Sequence, residues 1–123
     1  LVSDKDYEGA INSMTTLNKY ARDVLVNYNI SSATDITGFG FLAHIGEMID
    51  GKFTAIIDSN SIPILNGARD AANEFVLTQG GQRNRTFMEN TVEFQVDDFS
   101  LEEILYDPQT SGGLLVCIDE DDV

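Results

Sequence analysis

Residues 34 to 48 read TDITGFGFLAHIGEM, and the run beginning at Phe39 constrains the fold more than any other stretch. At helical spacing Phe39, Phe41, Leu42, Ala43, Ile45, Met48 and Ile49 cover most of a helix circumference, leaving Gly40, His44 and Glu47 as a small or polar stripe. A helix over 38 to 50 that is apolar nearly all round has to lie between layers. The chain therefore needs further helices and a sheet to cover it.

The remaining patterns supply them. Ser3 or Asp4 can cap a helix, and Ile11, Met14, Leu17, Ala21, Val24, Leu25 and Tyr28 recur with the spacing of one helix face, which predicts a helix over 5 to 28. NISSA (29 to 33) breaks that pattern. KFTAIID (52 to 58) reads as a strand. SIPILNGARDAANEF (61 to 75) reads as a helix with Pro63 in its first turn and Ile64, Leu65, Ala68, Ala71, Ala72 and Phe75 on one face. QGGQRNR reads as a glycine turn. TVEFQVD (91 to 97) alternates with Val92, Phe94 and Val96 inward, a short helix is expected at 100 to 106, and LLVCI (114 to 118) is apolar throughout, as in a strand covered on both faces. The expected fold is an α/β (α+β) sandwich, with helices packed on a small mixed sheet in a single domain over 1 to 123. A chain of 123 residues buries about two-thirds of its unfolded surface, enough for a core without staples. The acidic DEDDV after the last strand suits the first turn of another helix, so the domain is expected to continue past it.

Charge and composition narrow the function classes. With 7 basic and 21 acidic residues the formal charge is -14, which repels phosphate backbones and argues against a nucleic-acid partner. The same charge fits either a solvated surface or a partner that brings cations, magnesium above all. The chain is 42% hydrophobic but has no apolar stretch near the ~20 residues that cross a bilayer, so no membrane span is expected. The opening LVSDKDYEGA turns acidic within four residues, unlike a signal peptide. Cys117 is the one cysteine, which rules out a disulfide within the chain; inside LLVCI its thiol is expected to pack in the core and stay unreactive. His44 and Glu47 stand at i,i+3, but a single histidine argues against zinc or iron and leaves a helix-surface pair.

Two glycine turns remain. TGFG lacks the third glycine of a dinucleotide fingerprint and QTSGG lacks the lysine and following helix of a P-loop. Each either presents backbone N–H groups to an anion or is a turn needing positive φ. Asp35 divides the readings. Thr34, Asp35 and Thr37 are all good helix caps, yet Thr37 alone could cap a helix starting at Gly38. A hard cation takes one or two protein carboxylates plus waters and substrate phosphates, so one Asp in a glycine turn also suits a partial magnesium site.

TDITGFGFLAHIGEM resembles the T-D-V-T-G-F-G-L-L-G-H-L-x-E-M segment of the selenophosphate synthetase (selenide, water dikinase) family. LYDPQTSGGLL (105 to 115) is similar to that family's L-x-D-P-Q-T-S-G-G-L-L, and SIPILNGARDAA and QGGQRN resemble its P-x-L-x-G-A element and the P-G-G that opens its next element, in the same order. Ala43, Phe41 and Gln79 stand where the family usually has Gly, Leu and Pro. The resemblance covers the C-terminal half of such an enzyme, within the aminoimidazole ribonucleotide (AIR) synthetase-related superfamily. It implies a cytoplasmic, ATP- and magnesium-dependent kinase of selenium metabolism that turns selenide, ATP and water into selenophosphate, AMP and phosphate. By the same resemblance Asp35 is a magnesium ligand, and Thr37, Gly38, Gly40, Thr110, Ser111, Gly112 and Gly113 are phosphate- or nucleotide-facing turn positions without individual roles. The catalytic Cys or selenocysteine and most ATP ligands belong to a separate N-terminal domain, the expected partner, in a homodimer. This chain alone is expected to carry no catalytic residue and no activity. The alternatives are a non-catalytic acidic interaction module in which Asp35 only caps, or a sister enzyme of the superfamily.

Overall fold

A computed structural model describes residues 2–122. It has six α-helices and a two-stranded antiparallel sheet among those residues, so the α+β expectation holds. The sheet itself is not mixed.

The first expected helix is two. α1 spans Asp4–Thr15, started by Ser3, whose hydroxyl accepts the Asp6 N–H at 3.2 Å, with Asp4 and Asp6 in the turn where the helix dipole favours acids. It stops because the backbone turns extended at Thr16 (φ -72°, ψ 123°), while the Thr15 and Thr16 hydroxyls bond back to the carbonyls of Ile11 (2.9 Å) and Asn12 (2.7 Å). α2 resumes at Lys19–Leu25. Neither helix has a buried residue, and Ile11, Met14, Leu17 and Val24 of the apolar stripe are exposed.

β1, Ile30–Asp35, forms where the sequence reads as a break. It pairs with β2, Leu114–Ile118, in a register that sets Asp35 opposite Leu114 and Ala33 opposite Val116. Ser-rich β1 has little strand preference of its own; the apolar partner strand decides it. Cys117 is exposed on β2, so this strand is not covered on both faces as expected.

α3, Gly40–Ile49, is the layered helix, and Leu42, Ala43 and His44 on it are buried. Gly67, at φ 76°, delays the expected 61 to 75 helix until α4, Ala68–Asn73, leaving Pro63 outside it. The supposed glycine turn is instead the start of α5, Gln79–Met88, because the Thr78 hydroxyl accepts the Gly81 N–H at 2.9 Å and caps it. α6, Phe99–Tyr106, is capped by Asp98, which accepts the Leu101 N–H at 3.0 Å. The expected strands at 52 to 58 and 91 to 97 are not paired into the sheet. Val92 and Phe94 turn to the core while Glu93 and Gln95 face out, but Val96, expected inward, is exposed: without a neighbouring strand to hold it, the alternation lasts only as far as the core reaches. The core joins α3, α5 and α6 through Leu42, Ala43, Met88, Leu101, Leu105 and Tyr106. Burying Leu101, 1% exposed, contributes about 2 kcal/mol.

Candidate functional site

Asp35 ends β1 with its side chain exposed, and among the described residues its carboxylate has no hydrogen-bond or ion-pair partner. It is not a helix cap, and neither is Thr37. α3 starts only at Gly40, its capping position is Phe39, and no side chain accepts a bond from its first turn. The four-residue turn 36 to 39 carries Asp35 away from the helix start.

That turn is held to the second glycine motif. The Ile36 N–H donates to the Gly113 carbonyl (3.0 Å), and the Thr37 carbonyl accepts both the Gln109 N–H and the Gly40 N–H, each at 3.0 Å. Two glycines are there for close approach. A Cβ on Gly112 would lie 2.2 Å from the Ile36 carbonyl oxygen, and one on Gly40, at φ 77°, would lie 2.7 Å from the Tyr106 carbonyl oxygen. Gly38 and Gly113 face open space, as do the exposed Thr110 and Ser111. The third motif closes the group. The Asn84 side-chain amide donates to the carbonyls of Gly38 (3.1 Å) and Tyr106 (2.9 Å), and Gly80 packs on Pro108. TGFG, QGGQRN and DPQTSGG, apart in the sequence, thus make one joint beside Asp35. The fourth, SIPILNGARDAA, contributes Ile64, Leu65 and Ala68 to the lining of an apolar cavity of about 730 Å³ that Ile36, Leu105 and Leu115 also line.

Sequence reasoning left three features of this site without a role. Asn84 stood only as a motif letter. Asp107, half-buried, accepts a hydrogen bond from the Thr78 hydroxyl; burial pushes its carboxyl up, the Thr78 bond opposes that, and nearby Glu103 adds to it. Glu103 is buried and held by Gln82 (2.6 Å) and by Arg85 (2.7 Å), whose guanidinium lies over the Tyr106 ring. Their signal was present in the polar positions of QGGQRN and DPQ, but no periodicity marks a polar network. His44 is also not the surface residue expected. It is 6% exposed, and its Nδ1 lies 3.4 Å from Glu47 Oε2.

No grouping of three or more His, Cys, Asp or Glu among the described residues could hold a metal ion. At the joined turns the oxygen donor left without a partner among the described residues is the Asp35 carboxylate, a single ligand at most. That chemistry suits a cation which keeps waters and phosphates in the rest of its shell.

Comparison with known proteins gives the relationship. Residues 5–123 match the family described as "AIR synthase related protein, C-terminal domain". The chain is 50% identical over 112 residues to "Selenide, water dikinase" of Agathobacter rectalis, covering 90% of this chain and 33% of that protein. It is 46% identical over 114 residues to "Selenide, water dikinase" of Desulfitobacterium hafniense (93% and 34%), and 40% identical over 122 residues to "Selenide, water dikinase 2" of Peptoclostridium acidaminophilum (98% and 35%). The chain thus spans about a third of the length of these curated relatives. With its match running over nearly all of its residues, the chain belongs to the AIR synthase related protein family, as its C-terminal domain.

Proposed function

We propose that this chain is the C-terminal domain of an ATP-dependent selenide phosphotransferase, which makes selenophosphate, AMP and phosphate from selenide, ATP and water. The observation that carries the reading is the Asp35 carboxylate, without a partner among the described residues, at the edge of two joined glycine turns in a chain 50% identical over 112 residues to a selenide, water dikinase. In this reading Asp35 is one ligand of a magnesium ion, and such an ion offsets phosphate charge during phosphoryl transfer. The residues divide the work. Gly40 and Gly112 hold the turns together, whereas Gly38, Thr110, Ser111 and Gly113 remain open to face the nucleotide phosphates. The other magnesium and ATP ligands and the reacting Cys or selenocysteine come from an N-terminal domain of the same polypeptide, in a cytoplasmic homodimer, and this chain alone is inactive.

The test is Asp35→Asn in the whole protein, with magnesium-dependent ATP binding followed by calorimetry. Outer-shell changes at metal sites already weaken binding by about 10 to 100-fold, so loss of a direct ligand should do at least as much. Nucleotide binding and turnover that survive the substitution would overturn the reading.

A further inference from the structure

The turn that carries Asp35 is pinned from both sides of one residue. The Thr37 carbonyl is taken by Gln109 and Gly40, and the Thr37 N–H donates to Nε2 of His44 at 3.1 Å, with the Thr37 hydroxyl 3.4 Å from the same nitrogen. An imidazole nitrogen that accepts from a backbone N–H carries no proton, so the neutral ring holds its hydrogen on Nδ1. Nδ1 is buried and makes no hydrogen bond of good geometry, although Glu47 Oε2 lies 3.4 Å away. The bond that locates this ring is therefore the one to the turn. The Phe39 ring packs edge-on against the imidazole at 6.1 Å between centroids. A buried polar ring on the apolar helix would be a poor choice for packing alone, since burying an unsatisfied nitrogen is unfavourable.

We propose that His44 is a positioning residue for the Asp35 turn. As the Nδ1–H tautomer it uses Nε2 to hold the Thr37 N–H, and so fixes the direction in which the chain presents Asp35 two residues earlier. This rests on the reading of Asp35 as a metal ligand for its functional consequence, but not for the hydrogen bond itself.

The test uses the intact protein labelled with 15N-histidine, His44 being identified by the signal lost in His44→Phe. Nε2 should show a pyridine-type shift and Nδ1 a pyrrole-type shift; a proton on Nε2 would overturn the proposal. His44→Gln, whose amide oxygen can take the place of Nε2, should keep the Thr37 amide protected from hydrogen exchange. His44→Phe, which fills the volume without an acceptor, should expose that amide about tenfold more. Magnesium-dependent ATP affinity, measured where both variants are fully folded, should follow the same order, near normal in Gln and about tenfold weaker in Phe. Equal behaviour of the two variants in amide exchange sinks the proposal. Normal affinity in Asp35→Asn together with the expected nitrogen shifts and exchange order would instead mean that the metal reading fails and the positioning of the turn stands.

Discussion

Gly112→Ala tests the joint between the two glycine turns. The added Cβ would lie 2.2 Å from the Ile36 carbonyl oxygen and 3.2 Å from both the Ile36 carbonyl carbon and the Gln109 Cβ. Restoring van der Waals contact requires the turns to part by about 1 Å. That movement stretches the Ile36 N–H to Gly113 carbonyl bond and its neighbour from Gln109 to Thr37, both 3.0 Å now. Each such bond is worth about 1 kcal/mol net, and overpacking of this kind costs about 1 to 3 kcal/mol. The stiffer unfolded chain returns about 0.4 to 1 kcal/mol. The expected loss is therefore about 2 kcal/mol, read in urea unfolding as a midpoint lowered by about 1 M for a slope near 2 kcal/mol/M. Gly113→Ala is the control. Its Cβ would meet nothing within 4 Å and its φ is outside the left-handed region, so stability should stay within about 0.5 kcal/mol of wild type. Two adjacent glycines of one motif should thus respond differently. Midpoints that agree within 0.2 M would refute the argument that the turns meet at Gly112.

Asp98→Ala removes the α6 cap and the partner of Arg69 (2.6 Å), and with this half-exposed pair screened by solvent the loss should be about 1 to 2 kcal/mol in the same assay. The Arg69 bond, with the Leu101 N–H and Ser100 hydroxyl, holds the Asp98 carboxyl at about 2, so its contribution is present above the ordinary 3.8 and should disappear as pH falls from there through 2. Asp107 has the opposite sign: burial raises its carboxyl, so its contribution is full below 3.8 and declines as pH rises through the raised value. Asp107→Asn, which keeps an oxygen for the Thr78 hydroxyl, should accordingly be more stable than wild type at pH 7 and no more stable at pH 3, as thermal unfolding at the two pH values would report.

What could be read from the residues was local. The helices near 40 to 49 and 99 to 106 and the strand at 114 to 118 lie within two residues of where hydrophobic periodicity placed them, since each is decided by neighbours within a turn or two. The misreadings fall where a distant partner decides. Ser-rich 30 to 35 becomes a strand only against Leu114–Ile118, and the 79 to 88 helix keeps two glycines in its first turn because Pro108 and Asp107 pack closely on them. Cys117 is apolar company in sequence and solvent-facing in space, because the sheet has only two strands among the described residues.

For the site, the residues alone marked TDITGFG and DPQTSGG as turns and Asp35 as either a cap or a ligand. Tertiary structure removed the cap reading, placing the helix start five residues beyond Asp35 and leaving its carboxylate without a partner among the described residues. It also sorted the glycines, with Gly40 and Gly112 required by close approach and Gly38 and Gly113 open. The physical reason is the same in each case. Turn preference is a property of the local backbone, but whether a glycine or a carboxylate is used up by packing depends on segments from opposite ends of the chain meeting in space.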